Sequence, residues 1–291
     1  MTLLRLGVLA YAVTRIESLA QYAEKLNNLV AAGAAGADVL VMPEYACMEV
    51  AAAFGGGADP VAELNAVCAH SDEIIDIMRD CAARHKIWLQ PGTIPFRQRN
   101  GAVHNRAPLI SPEKKIAFQD KHVMTRFEAE SWGVLSGQPP SVFETPWGRI
   151  GIAICYDCEF PSLVRAQIEA GAWAILVPTC TDTWHGFNRV CLSARARALE
   201  NQCFVAVAPT VGAAPWLATL DENHGRAGIY GPVDRGFPDD GVIAEGAMDS
   251  GVWLYATLNR SDIETVRAQG AVFNQRDWPA TPPPSLTVTL I

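Results

Sequence analysis

The sequence predicts an α/β fold built as one layered domain, on three observations. Short apolar runs rich in branched residues recur every few tens of residues, segments with helical spacing lie between them, and no acidic, Ser-rich or Pro-rich linker divides the chain. The 291 residues, 49% of them hydrophobic, suffice for a large core.

Leu3 to Ala10 reads as a buried strand, since Arg5 interrupts the run and no charged segment precedes it as in a signal peptide. Glu17 to Ala35 has helical spacing, and Asp38 to Met42 is again a short apolar run, so the chain opens β-α-β. Ser71 is placed to cap a helix whose Ile74, Ile75, Ile77, Met78 and Cys81 form one buried face, with a strand at Ile87 to Leu89 beyond it. Pro108 to Ile110 and Lys115 to Phe118 flank the turn residues Ser111 and Pro112, which predicts a hairpin. Gly148 to Ile154 is a strand, Ser162 to Ala170 a helix and Ala174 to Val177 a strand, and Arg195 to Glu200 precedes a last apolar run, Cys203 to Ala208. The Pro282-Pro283-Pro284 segment is expected to wrap a surface or a partner.

With 23 Lys plus Arg against 31 Asp plus Glu, the net charge is -8, and no basic run tracks a phosphate backbone, so nucleic acid is not expected as a partner. No apolar stretch reaches the ~20 residues of a membrane span, and no membrane association is expected. Eight cysteines scattered through apolar segments read as reduced thiols of a cytoplasmic protein.

Three segments share one form, a buried strand that runs out into a reactive side chain: Val39 to Glu44, Ala117 to Lys121 and Gly151 to Cys155. Loops converge at such strand ends while the strands hold them rigid. A lone Glu or Lys after a strand is ordinarily a cap or solvated loop residue, and a lone Cys there ordinarily belongs to the core. Together they have complementary roles. Glu44 can take the thiol proton of Cys155, and Lys121 with the backbone N–H of Tyr156 can stabilise an oxyanion. A strand-end Lys121 is expected to contribute little to the core, so its replacement should spare the fold.

Pro43-Glu44, then Lys121 with Thr125, Phe127 and Glu128, then Cys155-Tyr156-Asp157 followed by Phe160-Pro161 resemble the signatures of the nitrilase superfamily of carbon-nitrogen hydrolases. Arg165 with Gly171-Ala172, Val177-Pro178 and Arg195 to Asn201 extend the resemblance over roughly residues 4 to 260. It implies an α-β-β-α sandwich, a hydrolase domain over residues 1–270 with a tail over 271–291, and cofactor-free and metal-free hydrolysis through a thioester or thioimidate. It also implies a triad at Glu44, Lys121 and Cys155, with Glu128 positioning the lysine, in accord with a buried Lys needing a counterion. Tyr156-Asp157, where nitrilases tend to have Trp-Glu, resembles amidases and carbamoylases, so a small amide or N-carbamoyl substrate is expected before a nitrile. Ser162 stands where the family often has Glu, and Gly228 to Pro232 replaces its usual Gly-x-Ser segment.

Trp132, Tyr156, Thr179, Trp184 and His185 are read as loop residues lining the pocket. Arg195, Arg197 and Glu200 suit a structural ion-pair network on a helix. Cys155-Tyr156-Asp157-Cys158 also admits a thiol-disulfide oxidoreductase, and a non-catalytic binding protein is the remaining class. Cys81 and His85 lack the partner motif a zinc site needs. The apolar stretches Ala271 to Phe273 and Leu286 to Ile291, together with the resemblance, point to a homodimer or larger homo-oligomer.

Overall fold

In the computed structural model, which describes residues 2–55 and 59–278, the alternating apolar runs assemble into two β-sheets. The first half of the chain supplies β1 (Leu3–Leu9), β2 (Tyr11–Ala12), α1 (Leu19–Ala34), β3 (Val39–Val41), α2 (Pro60–Ala69), α3 (Ser71–His85), β4 (Trp88–Gln90), β5 (Ile94–Arg97), β6 (Val103–Ile110) and β7 (Ile116–Asp120). The second half supplies β8 (Val142–Thr145), β9 (Gly148–Ile152), α4 (Pro161–Glu169), β10 (Ala174–Thr179), α5 (Trp184–Asn201), β11 (Phe204–Ala213), β12 (Glu222–Asn223), β13 (Gly228–Tyr230), β14 (Val242–Glu245), β15 (Trp253–Asn259), α6 (Arg260–Gln269) and α7 (Asn274–Asp277).

One sheet runs β15-β1-β3-β4-β6-β5 with β7 added on β6, and the other β14-β13-β11-β10-β9-β8 with β12 and β2 on β11. Period-two alternation then builds the layers. Leu4, Leu6, Val8, Val39 and Val41 share one core cluster with Ile150, Ile152, Val205 and Val207 of the other sheet. Leu40 and Leu89 belong to a second cluster, with Tyr22, Leu26 and Val30 of α1 and Ile74 and Met78 of α3. Each such side chain contributes about 1.5–3 kcal/mol by leaving water. The expected α-β-β-α sandwich is the fold observed.

Ser18 caps α1 by accepting from the Gln21 N–H. The cap expected at Ser71 does not form. Only His70 separates α2 from α3 and occupies the cap position, and the Ser71 hydroxyl donates to the Cys68 carbonyl at 3.0 Å. The hairpin is present as β6–β7, with Ile110 paired to Ile116 and the Ser111 N–H closing the turn on the Lys115 carbonyl at 2.9 Å. On α5, Arg197 pairs with Glu200 at 2.8 Å, whereas Arg195 instead donates to the Asp240 carbonyl at 3.0 Å. Of the tail, Val272 is exposed and the Gln275 carbonyl accepts from Arg165 at 2.8 Å, while the Pro282 to Pro284 and Leu286 to Ile291 segments lie outside the described residues. No described helix is long and apolar enough to cross a membrane.

Candidate active site

The ends of β3 and β7 in one sheet and of β9 in the other converge, so the site lies between the sheets. Glu44 follows β3 after Met42-Pro43, and the chain at Gly92 (φ +93°) passes so close that a Cβ there would stand 2.0 Å from the Pro43 carbonyl oxygen. Lys121 directly follows β7, its N–H bonded to the Asn105 carbonyl at 2.8 Å. Cys155 opens a 3-10 turn with φ +48°, a left-handed conformation costly for a non-glycine residue and typical of functional sites. The Asp157 carboxylate secures this turn to the lysine loop by accepting from the Val123 N–H at 2.7 Å and the His122 N–H at 3.0 Å.

The Lys121 ammonium lies between two carboxylates, 2.8 Å from Glu44 Oε1 and 2.7 Å from Glu128 Oε2. The expectation that Lys121 adds little to the core is wrong. Its side chain is 1% exposed, and desolvated charges of this kind hold one another in place. Glu128 also accepts from the Thr125 N–H and hydroxyl, both at 2.9 Å, and from the Tyr45 hydroxyl at 2.7 Å. Glu44 accepts from Asn105 Nδ2 at 2.9 Å and from the Cys180 N–H at 3.2 Å. The Cys155 thiol accepts from the Thr179 hydroxyl at 3.2 Å.

Burial and these neighbours divide the two carboxylates. Desolvation pushes Glu44 up to about 7, against the pull of Lys121, with the Glu128 charge adding to the rise. Glu128 is equally desolvated, but Lys121 and the Thr125 and Tyr45 donors outweigh that and hold it below its ordinary value. Burial works against the Lys121 charge, yet Glu128, Glu44 and Cys155 raise its pKa well above the ordinary one. Burial and Glu44 raise the Cys155 thiol well above its ordinary pKa, so it rests protonated beside a carboxyl able to take the proton.

A cleft of about 690 Å3 opens over this group, lined by Glu44, Lys121, Glu128, Cys155, Tyr156 and Trp132 among others. Tyr156 lies in the 3-10 turn, Trp132 in a π-helical turn at Glu128–Trp132 and Thr179 at the end of β10, so none of the three is a free loop residue. Thr179, Trp184 and His185 are not lining residues: Thr179 is buried beside the Cys155 thiol rather than open to the cleft. Thr183 caps α5, which makes Trp184 and His185 its first two residues, and the exposed Trp184 ring stacks on His224 outside the cleft. Asn105, Tyr45 and Cys180 escaped the sequence reading. None of the three carried a local signal: Asn105 stands between His104 and Arg106, outside the apolar run at Pro108 to Ile110.

All eight cysteines are free thiols. Cys158 is fully buried in the core cluster, so the C-x-x-C offers no second thiol open to exchange. Among the described residues no cluster of His, Cys, Asp and Glu could hold a metal ion, and His85 instead meets Asn27 at 2.9 Å.

The model of the carbon-nitrogen hydrolase family matches residues 6–267. The chain is 29% identical over 274 residues to a probable hydrolase of Bacillus subtilis, YhcX, covering 94% of this chain but 53% of that protein, about half its length. It is 28% identical over 262 residues to the deaminated glutathione amidase of Synechocystis, covering 86% of this chain and 89% of that one. Its fold matches that of Saccharomyces cerevisiae Nit3, a member of branch 10 of the nitrilase superfamily, with a TM-score of 0.76 at 19% identity over 94% of this chain and 97% of the other. A match running through nearly all the strands of both sheets leaves one assignment, and the chain belongs to the carbon-nitrogen hydrolase family.

Proposed function

We propose that the chain is an amidase-type thiol hydrolase that cleaves the C–N bond of a small amide or N-carbamoyl compound. The observation that carries the reading is the ammonium of Lys121 fixed between Glu44 and Glu128 at the base of the cleft that holds Cys155. As the Cys155 sulfur attacks the carbonyl carbon, Glu44 takes the thiol proton, for which a carboxyl near pH 7 is suited. Lys121 and the Tyr156 N–H stabilise the oxyanion of the tetrahedral intermediate. Glu44 returns the proton to the departing nitrogen, which leaves a thioester on Cys155 from an amide and an S-carbamoyl thiocarbamate from an N-carbamoyl compound. Water, deprotonated by Glu44, then releases the acid and restores the thiol. No step calls for a metal or cofactor. Tyr156-Asp157 and the amidase relative support an amide over a nitrile. The exposed Leu192 and Leu199 on α5 and Val272 after α6 support assembly into a homodimer or larger homo-oligomer.

The test is a panel of linear amides, N-carbamoyl amino acids and nitriles, with mass spectrometry of the enzyme during slow turnover. The acyl adduct is expected on Cys155 and turnover is expected to vanish in Cys155→Ala. An adduct on Cys158 or Cys47, or an active Cys155→Ala enzyme, overturns the assignment.

A further inference from the structure

We propose that Asn105 is a positioning residue that holds Glu44 in its charged, proton-accepting form by giving one amide hydrogen to each of the glutamates beside Lys121. The inference rests on the thiol-hydrolase reading above. Asn105 is fully buried in β6, and its Nδ2 lies 2.9 Å from Glu44 Oε1 and 3.4 Å from Glu128 Oε1. The other amide atom is informative. Asn105 Oδ1 is buried and has no hydrogen-bond partner among the described residues. A purely structural amide would satisfy both of its ends, because an orphaned buried acceptor is costly. Turning this one round would set its oxygen against two carboxylates, so their charge fixes the amide hydrogens toward them.

Glu44 meets the Lys121 ammonium from the end of β7, Asn105 from β6, the Cys180 N–H from the end of β10 and the Cys155 thiol from the turn after β9, with Glu128 and the Tyr45 hydroxyl alongside. The direct neighbours on Glu44 thus include one cation and two neutral N–H donors. A hydrogen bond to the charged form of a carboxyl favours that form, so removing Asn105 makes Glu44 harder to ionise.

Asn105→Leu fills the space without a donor, and the smaller Asn105→Ala removes the donor without adding a charge. Both are expected to move the acid limb of the kcat/KM profile upward by about one pH unit, a tenfold loss on that limb. The pH dependence of Cys155 alkylation by iodoacetamide should move with it. Far-UV circular dichroism checks the fold, and the smaller Ala variant carries the test if the Leu variant fails to fold. Folded variants whose acid limb stays within about 0.2 pH unit of the parent overturn the role of Asn105, since a residue that only packs would leave the limb in place. A Cys155→Ala control separates the two readings. If it is inactive while the limb stays, only the Asn105 role falls; if it remains active, both fall.

Discussion

Lys121→Met tests the charge balance of the site, since Met keeps most of the side-chain volume and removes only the ammonium. Lys121 neutralises two carboxylates whose side chains are 2% and 3% exposed, and breaking such a buried pair costs about 3–5 kcal/mol when the remaining charge has no partner. The stranded carboxyls can escape by taking protons, which makes the cost depend on pH. Glu44 already stands at about 7 against an ordinary 4.5, which corresponds to about 3 kcal/mol of charging cost even with Lys121 in place. A carboxyl with a raised folded pKa gives stability that is complete below its unfolded pKa and is lost as pH rises through the folded value. Without Lys121 both glutamates lose their main pull toward lower pKa, so this loss deepens and extends to higher pH. Urea denaturation is therefore expected to show the variant about 3–5 kcal/mol less stable than the parent at pH 8.5, and at least about 2 kcal/mol closer to it at pH 5.5. At a pH where the variant is folded, turnover should fall at least about a hundredfold, because an oxyanion donor is gone. Equal stability of variant and parent at both pH values would refute the charge argument. A folded variant with turnover within a few-fold of the parent would remove Lys121 from the mechanism.

Two further outcomes follow from the placement of side chains. Because Trp184 stacks on His224 outside the cleft, Trp184→Ala should keep kcat and KM within about threefold, as for surface changes away from a site, and a KM rise beyond tenfold would return Trp184 to the pocket. Light scattering at micromolar protein should report at least a dimer, and a uniform monomer would leave the exposed apolar side chains of α5 unexplained by self-association.

The element types were legible in the sequence because periodicity is local. Apolar runs gave β1, β3, β7, β9 and β10 to within a couple of residues but only the end of β6 and the first half of β11, and the β6–β7 hairpin followed from its turn residues. Glu44, Lys121 and Cys155 stood out for the same reason, each ending an apolar run. Local reading failed where a residue's role depended on its neighbour in space. Thr183 turned the supposed loop at Trp184 and His185 into the start of α5, and the short link at His70 took the cap from Ser71. The partners of the glutamates lie far off in sequence: Asn105 is 61 residues from Glu44, Cys180 is 136 from Glu44, and Tyr45 is 83 from Glu128. Only the β3–β4 and β4–β6 pairings, the β6–β7 register and the stacking of the two sheets bring such groups within bonding distance. The sequence by itself therefore determined the α/β elements and singled out the three candidate side chains, since both are written in runs of a few residues. The tertiary structure decided how the two carboxyls divide, Glu44 pushed up to about 7 and Glu128 held below its ordinary value, because that depends on desolvation and on donors delivered by distant strands.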